Sequence, residues 1–140
     1  MRKLIAVAVL IALLACAFIP SVSFTEDRDT VLLARTIYAL GRNESYETKL
    51  ALGTVVMNRL ENNWFADSLG EVLRDQQQFP AGSRYDDDSL RAAHELLSGK
   101  RALSDSALYY QSANSAHSWG DAHLVDSCGN YNFYSRSGNI

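Results

Sequence analysis

Apolar residues recur at helical spacing near the start of the chain. Val31, Leu32, Leu33, Ile37, Tyr38 and Leu40 lead up to Gly41, and a second series, Leu50, Leu52, Val55, Val56 and Met57, lies in residues 49–60. The pattern predicts two helices joined by a polar elbow over residues 41–46. Asp29 or Thr30 is the expected cap of the first, because a short side-chain oxygen there accepts from the free amides of the opening turn. Gly41 and Asn43 are expected to end that helix in a left-handed backbone. The apolar positions of the second helix lie on more than one face, with Ala51 and Gly53 among them, so it reads as buried and closely packed. An elbow between two such helices is held rigidly, and it carries Arg42 and Glu44.

Further along, Glu61, Asn62 and Asn63 interrupt the pattern, and the Trp64-Phe65 pair is expected to fold back onto the core. Ser68 and Glu71 stand at the spacing of a capping box, which predicts a short helix ending near Arg74. Residues 75–84 hold Pro80 and Gly82 and read as a loop, the kind of segment on which binding groups sit. Asp86, Asp87 and Asp88 precede an amphipathic series of Leu90, Ala93, Leu96 and Leu97 that Gly99 ends. Acids there complement a helix dipole, which accounts for them better than metal ligation does. From Ala107 onward, short aromatic or β-branched runs broken by Gly120 and Gly129 predict two or three strands. The fold class that follows is α+β, with helices first and a small antiparallel sheet last.

Residues 1–23 read as a secretory signal peptide: Arg2 and Lys3, an uncharged run over 4–19, then Pro20 and Ser21-Val22-Ser23. The run is shorter than the roughly 20 residues of a spanning helix. Lipidation at Cys16 is the remaining alternative, and hydrophobic Ala17-Phe18-Ile19 makes a poor mature start for it. Contact with a membrane is therefore expected only through an uncleaved or lipidated N-terminus. Removal of the leader leaves residues 24–140 as one exported domain, extracellular or at the cell wall. The formal charge of −3 becomes more acidic once Arg2 and Lys3 go, which argues against nucleic acid as a partner. Cys128 is then the only cysteine, so no internal disulfide is expected and its thiol is placed in a buried strand. His117, Asp121 and His123 carry ligating groups, but no fourth ligand lies near them in sequence, so neither a metal nor any other cofactor is expected.

Residues 37–60, IYALGRNESYETKLALGTVVMNRL, resemble the cell wall hydrolase family typified by the spore cortex-lytic enzyme, whose catalytic domain is SleB-like. Tyr38, Arg42, Glu44, Tyr46, Glu47, Asn58 and Arg59 fall at the family's spacing. Gln78-Phe79-Pro80, Ala107-Leu108-Tyr109-Tyr110, Ser118-Trp119 and the closing Gly129-Asn130-Tyr131-Asn132-Phe133-Tyr134 continue the likeness over nearly all of residues 24–140. The resemblance implies a small lysozyme-like or lytic-transglycosylase-like domain that cuts the glycan of peptidoglycan between its amino sugars. A glutamic acid at a helix end, walled by apolar side chains, keeps its proton and can give it to the glycosidic oxygen. A second carboxylate is dispensable where the substrate supplies its own nucleophile.

Three departures from the family pattern bear on this. The family's acid falls at Leu40, its closing histidine at Tyr131, and its proline at Ser45. Two readings follow. In one, Glu44 is the proton donor, Gln78 and Asn130 hold sugar amide groups, and Tyr109, Tyr110 and Trp119 form stacking walls. In the other, the domain binds peptidoglycan without cutting it, since a missing general acid forfeits ~10² to 10⁴-fold in rate. About half of strand aromatics simply face a core, and Trp119, in a polar loop, is the one expected to be exposed.

Overall fold

Helix α1 (Arg28–Gly41), α2 (Tyr46–Leu60), α3 (Leu69–Val72) and α4 (Asp87–Leu97) precede strands β1 (Tyr109–Ser112), β2 (His123–Cys128) and β3 (Tyr131–Ser135). The structure is a computed structural model that describes residues 26–115 and 123–136. The expected leader 1–23 with Cys16, and also His117, Trp119 and Asp121, lie outside the described residues. The strands form one antiparallel sheet in the order β1-β3-β2. The expected α+β order, helices and then sheet, holds.

Helix α2 is the centre of the domain. Every residue from Thr48 to Arg59 is buried, which is why its apolar positions show no single face. It packs between α1, which buries Leu33, Ala34 and Ile37, and α4, which buries Ala92, Ala93 and Leu96. A Cβ at Gly53 would stand 2.3 Å from Leu96 Cδ1 and 2.9 Å from Ile37 Cδ1, so glycine lets the three helices close on one another. Phe79 from the long loop and Phe133 from β3 complete the core. Lys49, on α2, is buried and pairs with Asp86 at 2.6 Å. Asp86 is also the cap of α4, accepting from Ser89 N at 2.8 Å. Burial by itself raises the Asp86 carboxyl, but hydrogen bonds from Lys49 and Ser89 outweigh it and hold the group at about 2. The acidic run thus caps a helix and neutralises a core lysine.

Several local expectations are corrected. The cap of α1 is Asp27 rather than Asp29 or Thr30, and its side chain makes no capping bond. Neither Gly41 nor Asn43 is left-handed; Arg42 continues the right-handed path and Glu44 N bonds Gly41 O at 3.0 Å, so the turn closes without a left-handed residue. Helix α2 starts at Tyr46, one turn before its apolar run, because Ser45 Oγ accepts from Thr48 N at 3.2 Å. Ser68 makes no side-chain cap and α3 is a single turn. Trp64 is 46 % exposed rather than packed in the core, and Phe65 alone of the pair meets Arg59. Left-handed glycines do occur at Gly99, which ends α4, and at Gly129, in the β2–β3 turn.

Candidate active site

The elbow and the β2–β3 turn meet at Glu44. Its half-buried carboxylate accepts a hydrogen bond from Asn130 Nδ2 through Oε1 at 2.7 Å. The other oxygen, Oε2, lies against the backbone of Gly129: a Cβ there would be 2.5 Å from Oε2 and 2.5 Å from Thr48 Oγ1. Gly129 also has φ +56, so the turn needs glycine both for conformation and for space. Thr48 Oγ1 is shared between Ser45 Oγ at 3.1 Å and Cys128 Sγ at 3.3 Å, which ties β2 to the start of α2. The Cys128 thiol is half-buried rather than fully enclosed.

Tyr131 sits beside this pair and donates from its hydroxyl to Leu40 O at 2.7 Å. Burial pushes its phenol up, and the negative charge of Glu44 adds to the effect. Leu40 is itself partly buried against the core. Positions 40 and 131, both expected to depart from the family pattern, are thus in direct contact across a sequence separation of 91.

A second cluster forms around Arg59, at the end of α2. Its guanidinium is buried, donating from Nε to Leu108 O at 2.7 Å, from Nη1 to Asp75 at 3.1 Å and from Nη2 to Gln78 Oε1 at 3.1 Å. The rings of Phe65, Phe79 and Tyr109 stand 4.7, 4.9 and 5.0 Å from its carbon. Burial lowers the Arg59 pKa from its ordinary value, with Asp75 opposing the shift. Asn58, its neighbour, donates to Ser104 O at 2.8 Å and Ala107 O at 3.0 Å and so fixes the entry into β1. The Asn-Arg pair that ends an apolar helix is therefore an internal clamp on the loop and the sheet.

The predicted site residues divide accordingly. Glu44 and Asn130 are bonded directly. Tyr110 donates from its hydroxyl to the Gln78 carbonyl and meets Tyr131 edge-on at 5.6 Å, so Gln78 and Tyr110 connect to the Glu44 elbow through Tyr131. Burial raises the Tyr110 phenol well above its ordinary value. The register pairs Tyr110 with buried Phe133 and Tyr109 with Tyr134, which puts the two adjacent tyrosines on opposite faces of β1. Tyr109 packs on the Arg59 cluster instead, 6.3 Å from Phe65. Arg59 was not predicted as a site residue; its signal was a cation at the end of an otherwise apolar helix. Among the described residues no group of three His, Cys, Asp or Glu side chains is placed to hold a metal, and His123 is exposed on β2.

Chemically, the arrangement presents one carboxyl group, oriented by an amide donor, at the seam between the helical part and the sheet. Such a group can pass a proton to, or take one from, a ligand oxygen laid along that seam.

Comparison with known proteins agrees with this architecture. Residues 43–134 match the Cell Wall Hydrolase family. The spore cortex-lytic enzyme of Bacillus subtilis is 31 % identical over 102 residues, covering 67 % of this chain and 33 % of that protein. The spore cortex-lytic enzyme of Halalkalibacterium halodurans is 27 % identical over 99 residues, covering 66 % and 30 %. The chain thus spans about a third of the length of the curated relatives it matches. Among solved structures, the catalytic domain of the Bacillus cereus SleB protein superposes with a TM-score of 0.69 at 22 % identity, over 76 % of this chain and 89 % of that one. The catalytic domain of the germination-specific lytic transglycosylase SleB from Bacillus anthracis gives 0.69 at 18 % identity, over 81 % and 100 %. These two likenesses establish a shared fold. With the family match running from the elbow to the last strand, the chain belongs to the cell wall hydrolase family.

Proposed function

We propose that this domain acts on the glycan strands of peptidoglycan outside the cytoplasm, with Glu44 as the proton donor of a muramidase or lytic-transglycosylase reaction. The observation that carries the reading is the Glu44–Asn130 contact, which aims one carboxyl group at the seam between elbow and hairpin in a domain of this family. In the proposed reaction Glu44 gives its proton to the glycosidic oxygen after N-acetylmuramic acid as the bond to the anomeric carbon breaks. The carboxylate then accepts the proton of the attacking hydroxyl, whether that of water or of the sugar itself. Asn130 orients the carboxyl, and Tyr110, edge-on to Tyr131, flanks the glycan on the β1 side. Export by the leader in residues 1–23 would bring the domain to its polymer.

A second reading, binding without cleavage, is favoured by one observation. The position that carries the family's acid is Leu40, and Tyr131 donates to its backbone where an acid would work. Clearing of purified sacculi separates the two. Under the first reading the wild type clears them and Glu44→Gln, which keeps an acceptor for Asn130, loses ~10² to 10⁴-fold in rate. Under the second, neither clears sacculi, both co-sediment with them, and Leu40→Glu gains clearing. A wild type that neither clears nor co-sediments refutes both.

A further inference from the structure

The Trp64 surface is left unused by the site above. Its indole, in the loop that follows α2, is 46 % exposed. It forms one wall of a cavity of about 250 Å³, whose other lining includes Asn62, Asp105, Ser106, Ser135 and Arg136. The guanidinium of Arg136 lies 4.9 Å from the ring centroid, so a cation and an aromatic face share that wall. The rest of the lining carries an amide, a carboxylate and two hydroxyls. The combination suits one class of ligand. A pyranose offers a C–H face to an aromatic ring, hydroxyls to Asp, Asn and Ser, and, in an amino sugar, an acyl carbonyl to an arginine. A simple anion would meet Asp105.

Strand β3 links the two places. Tyr131 begins it beside Glu44, and Ser135 ends it in the Trp64 cavity. Four residues of strand span about 13 Å, too far for the same sugar and suitable for another ring of one strand. We propose that the Trp64 cavity is a second amino-sugar subsite, holding the glycan away from the bond at Glu44. The proposal rests on the peptidoglycan reading above, and it gives Trp64 and Arg136 a binding role, not a catalytic one.

The test uses soluble glycan strands freed of their peptides, titrated into isotopically labelled protein. The Trp64 indole N–H signal, identified by its absence in Trp64→Ala, should move saturably. Trp64→Ala should bind the strands about fivefold more weakly and Trp64→Phe nearly as well as wild type, because stacking of this kind contributes about 1 kcal/mol. If the wild type binds while the Trp64 signal stays still, or if Trp64→Ala binds equally well, the subsite is overturned and the peptidoglycan reading survives. If the wild type binds no glycan at all, both fall. Circular dichroism of Trp64→Ala confirms that any loss is not unfolding, as expected for so exposed a ring.

Discussion

Replacing Arg59 by methionine probes the clamp between α2, the Gln78 loop and the sheet. Arg59 is 2 % exposed and its side chain makes three hydrogen bonds, to Leu108 O, Asp75 and Gln78. Methionine fills much of the same volume but donates nothing. Leu108 is itself buried, so its carbonyl loses a charged donor in a place where water does not easily follow, at about 1–3 kcal/mol. Three aromatic contacts with the guanidinium also go, each worth about 0.5–1 kcal/mol, and sulfur–aromatic contacts recover part of that. Asp75 is half in water and returns to it cheaply. Relief of the buried charge offsets some of the loss, as the lowered Arg59 pKa indicates. The net expectation is a destabilisation of about 2–4 kcal/mol, a large part of the roughly 5–15 kcal/mol that holds a domain together. Guanidinium unfolding of the purified chain, followed by far-UV circular dichroism, measures it. A loss under about 1 kcal/mol with an unchanged denaturant slope would refute the reasoning, since it would mean that the buried carbonyl regains a partner and the fork contributes nothing net.

Other expectations are equally specific. Gly129→Ala forces a side chain into the left-handed region and against Glu44 and Thr48, so it should cost about 2 kcal/mol and lower the melting temperature; an unchanged melt would show that the turn can shift freely. Asp86 has a folded-state value near 2 against an ordinary 3.8, so its stabilisation is present above about pH 4 and is lost as pH falls toward 2. Its side chain is 38 % exposed, so solvent screening reduces that pH-dependent contribution to about 1 kcal/mol, and Asp86→Asn, which also leaves buried Lys49 without its counter-ion, should cost at least that much at pH 7 and flatten the acid limb of the stability curve. An acid limb identical in the two proteins would contradict the assignment.

Order and type of element were readable in the chain itself, because each depends on local periodicity and punctuation. The apolar spacing of residues 31–40 and 49–60, the acids before α4, Gly99 after it and the short aromatic runs from Ala107 each mark their element. Boundaries were less secure, since hydrogen bonds that leave no periodic trace set them: Ser45 begins α2 a turn early, and Arg42 carries the chain on without a left-handed residue. What faces what was decided only by the packed molecule. Adjacent tyrosines at 109 and 110 part to opposite faces because strand register alternates, and Trp64 turns outward while Phe65 goes in. Glu44 acquires its donor from Asn130, and Leu40 its tyrosine, because a hairpin folds back across a sequence separation of 86 and 91 residues. Contacts of that span are fixed by the closing of the core, and one chain read in order holds no record of which partners it brings together.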